Sequence, residues 1–168
     1  MNKTIIHSLL LIIAVIIEFF RDYCFININI HLHYISQQKN GREIINYTDS
    51  FIENITSNFS YDQIINIKWI LAILFSFLFY ILGLLYAKII WNKSIFHSFI
   101  KFYTISWFFI SVLSLAFYFI SKFLNLENQY NFYYISIELG HFIQSIIFPL
   151  CFILAFYGFS KMKIGAKY

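Results

Sequence analysis

Charged residues are scarce in this chain of 168 residues: they make up 12% of the sequence, against 60% for apolar residues. A soluble domain of this length could not bury so many apolar side chains, and the remainder would face water and aggregate. The composition therefore excludes a water-soluble globular protein. Proline and glycine are also rare, with one and five residues, and no glycine-rich loop typical of phosphate binding occurs.

The two cysteines, Cys24 and Cys151, do not suit a disulfide. Cys24 follows the first apolar segment, whereas Cys151 lies roughly 24 Å into the last one at helical rise. These positions are near opposite faces of a membrane, too far apart for an S–S bond. Neither a Ser/His/Asp set nor a pair of catalytic carboxylates is evident, so we expect no enzyme, no catalytic residue and no cofactor.

Four apolar segments divide the chain: 4–20, 69–90, 99–120 and 135–159. Each has about 17–25 residues, the length with which an α-helix crosses a hydrocarbon core of roughly 30 Å. Trp69 and Trp91 bracket the second segment, as aromatic residues do at membrane interfaces. The sequence predicts an all-α membrane protein: a four-transmembrane-helix bundle, one domain over 1–168, with a long extracytoplasmic loop at 21–68.

The charged residues are distributed unevenly between the two sides that these spans define. One side carries only basic residues: Lys3, Lys88, Lys93, Lys101, Lys161, Lys163 and Lys167. The other carries all eight acidic residues together with the remaining basic ones. Because cytoplasmic loops are rich in Lys and Arg, we expect the all-lysine side and both termini in the cytoplasm. These lysines also explain the net charge of +4, which favours anionic lipid headgroups rather than nucleic acid.

The first span shows features of a membrane anchor. Lys3 and the apolar run 9–17 resemble the start of a signal peptide, but no small-residue cleavage site follows them, so we expect an uncleaved anchor. Glu18 and Arg21 are three residues apart. This spacing predicts an ion pair on one helical face at the membrane interface.

Apolar and polar residues alternate from Phe25 to Ile35. A period of two predicts a β-strand, with a short interfacial helix as the alternative. On a strand His31 and His33 would point the same way, which makes them a weak candidate pair for Zn or Cu. No further ligand is evident nearby, so two polar side chains on a wet face are the simpler interpretation. The polar stretch 37–62 predicts a loop with at most one short helix.

Small residues on one face of the second span predict a helix–helix contact. Ser76, Gly83 and Ala87 allow two backbones to approach closely in a bilayer, where no hydrophobic force drives helices together. Hydroxyls in the third span can bond their own backbone or a neighbouring helix: Ser106, Ser111 and Ser114.

The fourth span contains a polar stripe of four residues: Glu138, His141, Gln144 and Ser145. Their spacing places them on one helical face, and Pro149 is expected to kink the helix. Ionisable groups inside a span are costly and usually functional. Three interpretations remain open: a polar network between helices, a surface that binds a partner, and a path for protons or ions. A di-iron bundle needs two Glu-x-x-His motifs, and this chain has one, so we expect no metal.

The segment from Phe132 to Leu150 contains an aromatic pair, an Ile-Gln element and a proline, and Ala155-Phe-Tyr157 follows it. With Lys68-Trp69 before the second span and Asn92-Lys93-Ser94 before the third, this layout resembles the small exosortase-system-associated membrane proteins of Bacteroidota. The resemblance covers the C-terminal two-thirds of the chain. Where the family has a basic residue, this chain has Glu138. The resemblance implies an inner-membrane accessory to a sorting transpeptidase, with no catalytic residues of its own.

From these features we expect a non-enzymatic accessory protein of the bacterial inner membrane, embedded in lipid and assembled with a larger integral membrane partner. One alternative is a small transporter or proton-coupled subunit in which Glu138 and His141 move charge. The other is a membrane cysteine enzyme, in which Cys24 would need Arg21 as a neighbouring cation and His141 as a base.

Overall fold

A computed structural model of the chain describes residues 3–39, 51–56, 58–124 and 126–165. Within these ranges all regular structure is α-helical. The helices are α1 (Lys3–Lys39), α2 (Phe51–Thr56), α3 (Tyr61–Ile90), α4 (Lys93–Phe123), α5 (Leu126–Ile143) and α6 (Ile147–Gly165). The predicted all-α class is confirmed.

Two of these helices, α3 and α4, are long and apolar enough to cross a membrane. The segments Gln129–Ile143 and Ile147–Phe159 make a third candidate if they count as one span, although they are bent by 69° at the break between them. These two or three helices support a membrane location. The first predicted span, 4–20, lies within α1, and its crossing of the membrane stays a prediction, as does the four-span bundle.

The chain divides into two compact units, a larger one made of Met1–Ala14 with Phe75–Tyr168 and a smaller one made of Val15–Leu74. The core of the larger unit is aromatic. Tyr103 is completely buried and its ring lies parallel to that of Tyr80, with centroids 5.3 Å apart. Phe99 and Phe148 stack on the same ring at 5.0 and 5.1 Å. Such offset aromatic contacts stabilise beyond the area they bury, so Tyr103 joins α3, α4 and α6.

Helices α4 and α5 pack closely in the larger unit because small residues meet at their interface. The Ser114 hydroxyl donates to the Ser136 carbonyl at 2.9 Å, and the Ser136 hydroxyl donates to the Ser114 carbonyl at 2.8 Å. Gly140 continues this interface one turn further, since a Cβ added there would lie 3.7 Å from the Ser114 hydroxyl. The reciprocal pair fixes which face of α5 lies against α4.

The predicted fourth span is interrupted instead of being one kinked helix. Helix α5 ends at Ile143 and α6 begins at Ile147, so the break precedes Pro149 rather than coinciding with it. A proline lacks an N–H, and its ring clashes with the carbonyl four residues earlier, which here is that of Ser145. The chain avoids this clash by ending one helix and placing Pro149 in the first turn of the next.

The smaller unit corrects the strand prediction, because 25–35 is part of the continuous helix α1. Cys24, Ile28 and His31 are buried on one face of α1, at the i, i+4 and i+7 positions of a helix. An isolated strand would leave its backbone N–H and C=O groups without partners, whereas a helix satisfies them within the segment. The alternation of apolar and polar residues in this stretch therefore does not indicate a β-strand.

The predicted loop at 21–68 is also shorter than expected. Residues 21–39 belong to α1 and 61–68 to α3, and the Lys68 ammonium donates to the Asn29 side-chain oxygen at 2.7 Å between these two helices. Within 37–62, where the sequence predicted at most one short helix, the structure has α2. Residues 40–50 and 57 lie outside the described part of the chain.

Candidate functional site

Four polar side chains line one exposed face of α5: Tyr130, Tyr134, Glu138 and His141. We call this set the polar face of α5. Its spacing of four, four and three residues keeps the side chains on one stripe of a helix. The rings of Tyr130 and Tyr134 stack with centroids 6.3 Å apart, and the Tyr134 hydroxyl donates a hydrogen bond to the Glu138 carboxylate. The face is thus partly organised by contacts within α5 itself.

The position of this face follows from what lies on the other side of α5. Ser136 and Gly140 face α4, and Glu138 lies between them in sequence. Two residues correspond to about 200° around an α-helix of 3.6 residues per turn. Glu138 therefore points away from α4, and its side chain is exposed.

The predicted stripe of the fourth span does not stay together. Glu138 and His141 are exposed, whereas Gln144 and Ser145 are buried at the break after α5. The Ser145 hydroxyl donates to the Phe142 carbonyl at 3.0 Å, which helps to terminate the helix. Helical periodicity ends at Ile143, so the expected common face does not extend to the last two members.

An exposed carboxylate is unusual at the place where Glu138 lies. It is nine residues after Gln129, where the candidate broken span begins, or about 14 Å along the helix at 1.5 Å per residue. Ionisable residues inside spans almost always face a bundle interior or a water-filled cavity, or pair with each other. Glu138 does not face the interior of the larger unit, which makes the polar face of α5 the best candidate for a functional surface.

The small residues predicted as a helix contact are all buried in the larger unit: Ser76, Gly83 and Ala87. The Trp107 indole N–H donates to the Ser76 hydroxyl at 2.9 Å, which joins α3 to α4. Gly83 lies directly against Tyr103 and Pro149. Ser136 was not predicted as a packing residue, although Ser136 and Gly140 form a small-xxx-small pattern that could have identified it.

The other predicted groups lie in the smaller unit. Arg21 contacts Glu18 at 2.9 Å and Asp22 at 2.6 Å, so the cation is shared by two carboxylates. On the helix, His31 is buried and His33 exposed, because residues two apart in a helix point to nearly opposite sides. The strand geometry proposed for a metal pair is therefore wrong. No group of three or more His, Cys, Asp or Glu side chains in the described ranges could hold a metal.

Cys24 does not have the surroundings of a nucleophile. Its side chain is only 5% exposed, and burial raises the pKa of the thiol, which lowers the thiolate fraction that reactivity requires. Arg21 and Cys24 belong to the smaller unit and His141 to the larger one. Neither unit by itself brings the three proposed enzyme residues together.

Comparisons with protein-family models, with curated proteins and with solved structures found no match for this chain. The resemblance of its C-terminal segments to exosortase-associated proteins therefore stays a prediction.

Proposed function

We propose that this chain is a non-enzymatic integral membrane accessory protein that assembles with a larger membrane partner through the polar face of α5. The observation that carries the proposal is the exposed carboxylate of Glu138 in a candidate span. Lipid tails offer no hydrogen-bond donors, so a charged side chain that faces them within a span is costly. A partner that covers this face removes most of that cost.

The resemblance in the C-terminal segments indicates which process such a partner would serve. It favours a sorting transpeptidase of the exosortase type in the bacterial inner membrane. The side of the chain that carries only lysines supports a cytoplasmic position for both termini. In that arrangement the chain contributes a binding surface rather than chemistry. The buried thiol of Cys24, with its raised pKa, is in keeping with such a role.

Purification of the tagged chain from its native membrane in a mild detergent tests this function. We expect a membrane protein to co-purify stoichiometrically and to be lost when Tyr134 and His141 are both replaced with leucine. Replacing Phe109 with leucine is the control, because this residue is exposed on α4 and lies outside the polar face. Recovery of the wild-type chain alone, as a monodisperse monomer or homo-oligomer, would contradict the proposal.

A small transporter or proton-coupled subunit is the second candidate, and the broken span favours it. Transporters often bind substrate or ions where a helix is interrupted, since backbone groups are released there. In this chain Gln144 and Ser145 are buried at such a break. Proton flux into proteoliposomes, followed with a pH-sensitive dye, should then fall in Glu138→Gln and His141→Ala while partner recovery stays normal. Equal flux in empty liposomes would exclude this candidate.

A further inference from the structure

We infer that the partner places a basic side chain, lysine or arginine, on one of its transmembrane helices against Glu138. This inference rests on the proposed function and names the chemistry of the partner at the same face. Within the described residues, Glu138 has no lysine or arginine as counter-ion. Within α5 the Tyr134 hydroxyl is its hydrogen-bond donor.

The carboxylate of Glu138 has capacity for more than this one bond. An ionised carboxylate offers about four lone-pair sites on two oxygens. One tyrosine donor satisfies a single site and supplies no positive charge. A buried anion without a counter-ion is strongly disfavoured in a medium of low dielectric constant. A covering helix that keeps this carboxylate ionised therefore has to bring a cation, and not only hydrogen-bond donors.

The aromatic residues of the face suit a cation as well. Tyr130 and Tyr134 are 68% and 52% exposed, and their stacked rings stand on the stripe just before Glu138. A lysine or arginine that reaches the carboxylate along this stripe would pass over these rings, where cation–π attraction adds to the ion pair. Arginine could in addition bind both carboxylate oxygens at once.

The dimensions of the face fit a single helix as the covering element. From Tyr130 to His141 the stripe extends about 17 Å at helical rise, roughly three turns. The spacing of four, four and three residues is the kind of seam into which a second helix packs with a small crossing angle.

A second copy of this chain fits the polar face of α5 less well than a different membrane protein does. In a twofold pair, the same patch would face itself. Two Glu138 carboxylates would then approach each other, and the sequence of α5 offers them no lysine or arginine and only His141 as a basic residue. Like charges at close range are repulsive, so charge complementarity points to a different chain.

The first test measures partner recovery from native membranes with Glu138→Gln, which keeps the shape of the side chain and removes its charge. We expect recovery to fall at least about tenfold, since the loss of one member of a buried charge pair costs more than the 1.4 kcal/mol that a factor of ten represents. Asp62→Asn is the matched control, because it removes an exposed acidic charge at the start of α3. This control should leave recovery unchanged.

The second test does not depend on how well the Glu138 variant folds. A photo-crosslinking amino acid at Ile135, which is exposed one turn before Glu138 and does not belong to the polar face of α5, should capture a partner segment that contains lysine or arginine within one helical turn of the attachment point. Exchanging that basic residue for glutamate, together with Glu138→Lys, should restore recovery.

The outcomes separate this inference from the proposed function. Normal recovery with Glu138→Gln, or a captured segment without a basic residue, overturns the inference and leaves the accessory function standing. Failure of the wild-type chain to recover any partner overturns the proposed function itself. Loss of recovery with Glu138→Gln, followed by rescue through the charge exchange, supports both.

Discussion

Replacing Gly83 with alanine should destabilise the larger unit, whereas the same replacement at Gly158 should not. A Cβ at Gly83 would collide with the Tyr103 hydroxyl and lie 2.8 Å from Tyr103 Cζ and 2.9 Å from Pro149 Cβ. Carbon atoms do not approach this closely without displacement of a neighbour. At Gly158 an added Cβ has no neighbour within 4 Å.

The size of the effect follows from how little the neighbours can move. Tyr103 has no exposed surface and is held in the aromatic core, while Pro149 is fixed by its ring in the first turn of α6. Overpacking of a well-packed core costs about 1–3 kcal/mol. Alanine returns up to about 1 kcal/mol of helix propensity at either glycine. We therefore expect Gly83→Ala to be about 1–3 kcal/mol less stable than Gly158→Ala.

Thermal unfolding of both variants in one mild detergent, followed by tryptophan fluorescence, measures this difference. Tyr103→Phe in the Gly83→Ala background should recover part of the loss, because it removes the closest of the three contacts. The hydroxyl it removes makes only a long hydrogen bond to the Phe79 carbonyl, at 3.4 Å. Equal melting temperatures for the two alanine variants would refute the close approach of Gly83 to Tyr103.

Two further predictions concern other parts of the molecule. Ser114→Ala and Ser136→Ala should each lower the unfolding free energy by about 0.6–1.5 kcal/mol, because each removes one hydroxyl-to-carbonyl bond between α4 and α5. Ser111→Ala, which removes a bond to its own helix, should have less effect, and equal losses for Ser111→Ala and Ser114→Ala would contradict the reciprocal pair. Because burial raises the pKa of Cys24, a water-soluble maleimide should label it slowly at neutral pH, and the rate should rise at a higher pH than for a free thiol. Detergent-unfolded protein is the control, and rapid labelling of the folded chain at pH 7 would refute the burial.

Some of the candidate site was readable in the sequence and some was misread. Glu138 and His141 were identified because ionisable residues stand out within an apolar segment of spanning length. Gln144 and Ser145 were predicted on the same face because one helix was expected to continue through the segment. The break after Ile143 separates the two pairs, because a proline four residues after Ser145 prevents an uninterrupted helix.

The alternating stretch in α1 was misread for a different reason. A period of two describes how side chains would be sorted on a strand, but it contains no information on whether a partner strand exists. Ile28 is buried, while Ile26 and Ile30 are exposed. On a strand all three would lie on the same face, so this pattern of burial is that of a helix. A β-strand requires a second strand with which it can form hydrogen bonds, and the described ranges contain no strand.

The sequence alone determined that this protein is helical and that it has segments suited to a membrane. Both properties depend on residues that are neighbours in the sequence. The free energy of transfer from water to the bilayer adds up over the residues of a segment, and the length of the segment decides whether it can span the membrane. Tertiary structure decided which residues act together. The reciprocal bonds of Ser114 and Ser136 turn one face of α5 toward α4 and leave Glu138 on the opposite side. Such contacts join residues far apart in the chain, and no local pattern specifies them.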